Sequence, residues 1–141
     1  DARVTSIYEG TTQMQVVAAI RYVTSGFYSD MMSEYASQPI ASKWEGLRSE
    51  LVEAQGLYQQ VLDGILATNN QAMIDWHGRR LVEMAGYIIM GHLLLQDACA
   101  NETLFEKSAK TFIRWTVAQV KQHASFIERS QVDDMADYRF S

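Results

Sequence analysis

Cysteine is almost absent from this sequence, which contains one cysteine in 141 residues. A single thiol cannot build an internal disulfide framework or a cysteine-rich metal site, so the composition indicates a reducing compartment. Cys99 lies near the end of an apolar segment, and we expect it to be a buried, inert thiol. Proline is equally scarce, because Pro39 is the sole one. It marks one strong helix stop.

Long apolar runs and basic clusters are also missing. The longest apolar stretch, residues 84–95, includes a histidine and is much shorter than the roughly 20 residues that span a bilayer. The net charge is -5 and no dense Lys/Arg run is present, so we expect no nucleic-acid partner. With 48% hydrophobic and 21% charged residues, the composition is typical of a globular domain with one core.

Several motifs that carry chemistry are absent too. No glutamate has a histidine three residues later, so the di-metal pattern of helical bundles is missing. We interpret His77, His92 and His123 as core or boundary residues, because His77 and His92 are too far apart to share a metal. There is also no nucleophile elbow and no glycine-rich phosphate loop. With these motifs excluded, the catalytic candidate is Glu9, which lies in the segment before the first predicted helix.

What the sequence does contain is helical periodicity, with apolar residues every three or four positions. A first helix is expected to begin near Thr11 or Thr12 and to continue to Tyr35. We expect Gly26 to weaken its middle and Pro39 to stop it. Three further helices are expected at about 42–68, 71–99 and 101–130, and no alternating strand pattern follows residue 10. The sequence therefore predicts an all-α fold, an up-and-down antiparallel helical bundle of about four helices.

Polar residues at the expected helix starts support these boundaries. Ser42 with Glu45 has the spacing of a capping box, and Asn101 together with the Thr103/Glu106 pair supplies the start signal of the last helix. Asn69-Asn70 is the expected break before the third helix. The predicted core positions of the three later helices are Trp44, Leu47, Leu51, Ala54, Tyr58, Val61, Leu62 and Ile65; Met73, His77, Leu81, Met84, Ile88, Gly91 and Leu95; and Phe105, Phe112, Ile113, Thr116, Val120, His123 and Ile127. Gly78, Gly86 and Gly91 are expected to mark close contacts between helices. Trp44, Trp76 and Trp115 are interpreted as core or interface residues.

The first residues carry the most specific signal. Tyr8-Glu9-Gly10-Thr11-Thr12-Gln13 precedes the apolar helical pattern directly, so Glu9 and Gly10 are expected on a turn that enters a helix N-terminus. Residues 1–15, followed by Arg21, resemble the C-terminal signature of the flavin-dependent acyl-CoA dehydrogenases. The resemblance covers about the first 25 residues.

This resemblance implies a specific chemistry. By position, Glu9 would remove the α-proton of an acyl-CoA thioester while the β-hydrogen leaves as hydride to FAD, which yields the trans-2-enoyl-CoA. Thr11 and Gln13 match positions that contact FAD, and Tyr8 and Gly10 would line the substrate pocket. Short members of the family end soon after the position of Arg21, whereas this chain continues, and so it resembles the long members with an extra helical domain.

The expected organisation follows from this comparison. Residues 1–38 would end the catalytic domain, 39–130 would form a helical extension and 131–141 a tail, with the rest of the catalytic domain upstream of Asp1. The fragment alone is expected to be inactive and to bind no FAD. Expected partners are the upstream domain, acyl-CoA, an electron-transfer flavoprotein and a second subunit, in the bacterial cytoplasm or the mitochondrial matrix. The alternative is a stand-alone helical interaction module without catalysis.

Overall fold

The computed structural model describes residues 19–130 of the chain, and within that range it is helical without strands. Residues 19–24 are helical. They are followed by α1 (Phe27–Ala36), a short 3-10 turn (Ser42–Trp44), α2 (Glu45–Ala67), α3 (Gln71–Ala100) and α4 (Glu102–Arg129). The all-α prediction is confirmed.

A left-handed glycine divides the first predicted helix. Gly26 has φ 85°, a conformation that other residues rarely adopt, and α1 begins at the next residue. We expected Gly26 only to weaken this helix, and that expectation was wrong. The interruption lets Val23 and Met32, on either side of it, both enter the core.

Asparagine side chains, rather than capping boxes, begin the two long helices. Asn70 accepts hydrogen bonds from the amides of Ala72 and Met73 at the start of α3, and Asn101 accepts one from Leu104 at the start of α4. Of the residues that predicted this start, Asn101 is the cap, whereas Thr103 lies inside α4. The predicted Ser42 capping box was wrong, since Ser42 lies within the 3-10 turn and α2 begins without a side-chain cap.

Two apolar clusters fill the bundle, one toward each end. The first half of α2 packs with the end of α3 and the start of α4, around Leu51, Leu95 and Ile113. The second half of α2 packs with the start of α3 and the end of α4, around Tyr58, Leu81 and Val120. This pattern requires the consecutive helices α2 and α3, and likewise α3 and α4, to run in opposite directions, which confirms the up-and-down topology. The predicted core positions of α2 and α3 are all buried.

Two of the three expected glycine contacts are present. A Cβ on Gly78 would lie 2.7 Å from Cδ1 of Ile20, and one on Gly91 would lie 2.6 Å from Cδ2 of Leu51. The prediction for Gly86 was wrong, because a Cβ there would meet nothing within 4 Å. Gly86 lies on the outer side of α3, about 200° around the helix from buried Met84.

Cys99 is exposed, so the expected buried thiol was also wrong. Its neighbour Ala98 takes the buried position, and Cys99 is rotated about 100° from it, toward solvent. The same geometry leaves Phe112 only partly buried beside fully buried Ile113. Phe105, in the first turn of α4, is partly buried as well.

The first segment of the described chain is packed onto the bundle rather than separate from it. Helix α1 contacts both α3 and α2. The boundary at residue 38 stays a prediction, and the tail predicted at 131–141 lies outside the described residues. No helix between residues 19 and 130 is long and apolar enough to cross a membrane.

Candidate functional site

The residues predicted to act in catalysis precede the described part of the chain. Tyr8, Glu9, Gly10, Thr11 and Gln13 all lie outside residues 19–130, so their roles and positions stay predictions. The described residues nearest to them form the helical segment 19–24. Ile20 of this segment reaches Gly78 of α3, which places the segment against the bundle.

A cleft opens where the end of α1 and the following loop meet α2 and α3. It has a volume of about 140 Å3 and is lined by Tyr35, Gln38, Pro39, Ile40, Arg48, His92, Leu95, Gln96 and Cys99. We call it the α1–α3 cleft. Helix α1 ends at Ala36, and Pro39 prevents the helix from continuing. The loop that contains Pro39 leads to α2 and forms one wall of the cleft.

A neutral histidine forms part of the buried wall of this cleft. Nε2 of His92 lies 2.5 Å from Oε1 of Gln55, and the His92 ring stacks on Tyr35 with centroids 5.8 Å apart. Burial, together with the nearby Arg48 guanidinium, lowers the pKa of His92 to about 4. The imidazole therefore contributes no positive charge near neutral pH. Because the carbonyl oxygen of Gln55 can only accept, Nε2 of His92 is the donor of this bond.

Arg48 supplies the charge of the cleft. Its Nη1 donates to the carbonyl oxygen of Gln38, which ties α2 to the loop after α1. None of the salt bridges among residues 19–130 includes Arg48. Partial burial raises the pKa of the Cys99 thiol, and the Arg48 guanidinium opposes that shift. The cleft is thus a half-buried cationic site with a thiol at its edge.

A second cluster of titratable residues lies between α3 and α4. His77 is fully buried beside Trp76 and Phe126, and neither of its ring nitrogens has a hydrogen-bond partner among the described residues. Burial, with a smaller effect of Arg80, lowers the pKa of His77 to about 4. His77 and His92 lie about 22 Å apart along α3.

His123 occupies a more open position in this cluster. Its Nε2 lies 3.3 Å from Oε2 of Glu83, and its side chain is partly buried. Burial lowers its pKa, although the Glu83 carboxylate acts in the opposite direction. Between residues 19 and 130 no group of three or more metal-ligating side chains converges. The burial of His77 and His92 and the partial burial of His123 confirm the interpretation of all three histidines as core or boundary residues.

Exposed and partly buried aromatic and apolar side chains lie along the outer side of α3 and α4. We define the α3–α4 face by Tyr87, Met90, Leu94, Phe112 and Trp115. Tyr87 and Trp115 contact each other edge to face at 4.8 Å, and Phe112 and Trp115 lie 5.7 Å apart. Met90 is 52% exposed and Trp115 is 43% exposed. These side chains form an apolar strip on the outside of the bundle.

The N-termini of the two longest helices are not free to hold a pyrophosphate. Dinucleotide sites place the pyrophosphate at a free helix N-terminus, usually after a glycine-rich turn. Here the N-termini of α3 and α4 are occupied by the side chains of Asn70 and Asn101. The described bundle thus offers no place for the pyrophosphate at either of these helices.

Sequence reasoning missed the cleft because its residues come from separate elements. Arg48 and Gln55 each follow a buried position of α2, Leu47 and Ala54, and so lie at the edge of the apolar stripe. Polar residues at that edge were the available signal. Their convergence with His92 depends on the position of α3, which helical periodicity does not specify.

Comparison with known proteins agrees with the fold and with the family that the first residues resemble. We found no significant match among curated proteins. The acyl-CoA dehydrogenase family protein from Porphyromonas gingivalis has a similar structure, with 25% sequence identity and a TM-score of 0.75. The alignment covers 81% of this chain and 98% of that one. Residues 24–135 match the family described as acyl-CoA dehydrogenase, C terminal. Because this match includes most of the chain, the protein belongs to the acyl-CoA dehydrogenase C-terminal family.

Proposed function

We propose that this chain is the C-terminal part of an FAD-dependent enzyme that oxidises acyl-CoA to trans-2-enoyl-CoA. The observation that carries the proposal is the order of two independent signals. The Tyr8-Glu9-Gly10-Thr11 string comes shortly before the family match over residues 24–135. The isolated 141-residue chain is inactive in this proposal, because most of the catalytic domain and of the FAD site lies elsewhere in the parent protein.

Glu9 is the base in the proposed reaction. A glutamate in water has a pKa near 4.3 and is too weak a base for the α-proton of a thioester. Removal of water by a bound acyl chain raises the pKa of a carboxylate and makes it a stronger base. The backbone amide of Glu9 would hold the thioester carbonyl and stabilise the negative charge that develops on its oxygen. FAD supplies the hydride acceptor.

Neighbouring residues have supporting roles in this proposal. Gly10 allows the backbone to approach the ligand without a Cβ, and Tyr8 forms part of the pocket wall. Thr11 and Gln13 contact FAD. These assignments rest on the match of each position to the family signature.

The bundle has a structural role in this proposal. Its two buried histidines have pKa values of about 4 and are held inside the core, which disfavours acid–base catalysis at neutral pH. The α3–α4 face supports packing of the bundle against the catalytic domain or a second subunit. We further propose an electron-transfer flavoprotein as the electron acceptor, and the bacterial cytoplasm or the mitochondrial matrix as the location.

The test is an anaerobic titration of the intact parent protein with a series of acyl-CoAs, monitored by flavin absorbance. We expect bleaching by the preferred thioester, and we expect Glu9→Gln to abolish it while FAD stays bound. Thr68→Ser, an exposed substitution on the bundle, is the matched control and should bleach normally. A parent protein without flavin would contradict the family chemistry. Bleaching that persists in Glu9→Gln would assign the base to another residue.

A second function is favoured by one observation. The similar solved chain is covered over 98% of its length by this bundle, so almost nothing in that chain lies outside it. A stand-alone helical interaction module would have the same extent as that solved chain. In that case Glu9→Gln would change neither flavin content nor any activity of the cell extract toward acyl-CoA.

A further inference from the structure

The α1–α3 cleft is large enough to hold a molecule about the size of benzene. Its volume of about 140 Å3 is close to that of the engineered apolar cavity of about 150 Å3 that binds benzene. A ligand of roughly this size would contact the side chains of Ile40 and Leu95, which form apolar parts of the wall. The Tyr35–His92 stack adds an aromatic surface. These walls favour a flat or compact apolar body.

The charge of the cleft favours an anion. Arg48 is half-buried, and no carboxylate within residues 19–130 forms a salt bridge with it. One of its five donors is used by the carbonyl oxygen of Gln38, so others can bind a ligand. Guanidinium groups bind carboxylates through two parallel hydrogen bonds. A half-buried cation without a charged partner is costly, and a bound carboxylate would reduce that cost.

The remaining polar groups favour a single negative charge. His92 is neutral near pH 7 and its Nε2 is engaged by Gln55, so it adds no second cation. Gln38 and Gln96 at the rim are uncharged. We propose that the α1–α3 cleft binds a small monocarboxylate, with its carboxylate on Arg48 and its apolar body against Leu95 and the Tyr35–His92 stack. This binding is independent of the reaction assigned to Glu9.

Cys99 allows a direct test, because it lines the cleft and is the sole cysteine of the chain. The probe is benzoate, and its neutral isostere benzamide is the control ligand. The measurement is the rate of Cys99 alkylation by iodoacetamide in the 141-residue chain at alkaline pH, where the thiolate is populated. We expect benzoate to slow alkylation saturably, by about fivefold or more, with a Kd of about 1 mM. Benzamide should have little effect at equal concentration.

Two variants separate the cleft from general surface effects. Arg48→Gln should abolish protection by benzoate, whereas Arg114→Gln, an exposed position on α4, should retain it. Circular dichroism confirms that each variant is folded. Backbone amide NMR of the wild-type chain is a second measurement that does not depend on the thiol, and benzoate should shift resonances around Tyr35 and His92.

Four results would overturn the proposal. The first is absence of both protection and NMR shifts up to about 50 mM benzoate. The second is equal protection by benzamide, which would make the cleft an apolar site without a role for charge. The third is protection that survives Arg48→Gln in a folded variant. Protection by an acidic peptide but not by benzoate would likewise assign the cleft to a protein partner instead.

Discussion

Two glycines of α3, five residues apart, occupy opposite environments. Gly91 lies directly under Leu51 of α2, whereas Gly86 faces open space. The sequence gives both residues the same helical context, and only the packing of α2 distinguishes them. The stability of alanine variants can therefore test the helix packing directly.

We expect Gly91→Ala to lower the free energy of unfolding by about 1 to 3 kcal/mol, because its Cβ would overlap the fully buried Leu51 side chain. Gly86→Ala should instead raise it by about 0.5 to 1 kcal/mol through better helix propensity. Urea denaturation of the 141-residue chain measures both. Equal stabilisation by the two substitutions would contradict the close approach of α2 and α3.

The buried histidines predict a loss of stability in mild acid. His77 and His92 have an ordinary pKa of 6.5 when unfolded and about 4 in the fold. Their contribution is complete above pH 6.5 and is lost as the pH falls toward 4, because the unfolded chain binds protons first. We expect a decrease of roughly 1 kcal/mol per pH unit for each histidine between about pH 6 and 5.

This prediction is checked by urea denaturation between pH 7 and 5. His92→Gln should remove one titrating group and make the pH dependence clearly shallower, even if stability at pH 7 decreases. A pH dependence that is unchanged in both His92→Gln and His77→Gln would show that other groups are responsible.

At the residue scale, the sequence predicted burial correctly for the residues that face the core. The prediction of burial was wrong for Cys99, which is adjacent in sequence to a core residue. The apolar period correctly buried Tyr58, Met84 and Val120. It misplaced Cys99, because a shift of one residue rotates a side chain by about 100°. Where two adjacent residues are both apolar or weakly polar, the sequence does not show which of them faces the neighbouring helix.

At the scale of the elements, one asparagine connects the two longest helices. Asn101 ends α3 and begins α4, and its side chain accepts the hydrogen bond from the amide of Leu104. The start of α4 therefore depends on a single polar side chain.

Replacement of this cap should measurably lower the free energy of unfolding, and nearby substitutions should not. We expect Asn101→Ala to lower the free energy of unfolding by about 1 kcal/mol, because the amide of Leu104 loses its acceptor. Thr103→Ala lies two residues away, inside α4, and should change it by less than about 0.5 kcal/mol. Thermal denaturation of both variants is the measurement. A larger effect of Thr103→Ala would restore the capping box that the sequence suggested.

The helices themselves could be predicted from sequence, but the interruption at Gly26 could not. Apolar residues continue across that glycine with helical spacing, so periodicity favours one helix through residue 35. The left-handed turn exists because it allows the segments before and after it to contribute Val23 and Met32 to one core. The burial of both side chains depends on tertiary packing, which the hydrophobic pattern of a short sequence segment does not show.

At the scale of the whole molecule, the core and the exposed apolar surface are separate. The buried clusters contain the inward sides of all four helices, while the α3–α4 face points outward. A substitution on this face should thus affect assembly without affecting the fold.

We expect Met90→Lys to change the free energy of unfolding by less than about 0.5 kcal/mol, since the side chain is exposed. In the intact parent it should weaken assembly, raising the dissociation constant of the oligomer by about tenfold. Leu104→Lys is the matched control, because Leu104 is 65% exposed but lies outside the α3–α4 face. Analytical ultracentrifugation measures both variants. Weaker assembly in Leu104→Lys alone would place the contact surface elsewhere.

The α1–α3 cleft marks the limit of sequence prediction at this scale. Its charge comes from α2, its aromatic wall from α1 and α3, and its rim from the loop after α1. Both α2 and α3 must be placed before Arg48 and His92 become neighbours. The proposed catalytic signature, in contrast, is contiguous in sequence, so it can be recognised without the fold.

The short connections between helices have a kinetic consequence. Helices α3 and α4 are joined by Asn101 alone, and α2 and α3 by residues 68–70, so the loops closed between them are very short. Loop-closure entropy is then small and most contacts are local, which is typical of rapid folding. We expect the α3–α4 hairpin to form in the folding transition state, with α2 docking onto it and α1 adding last.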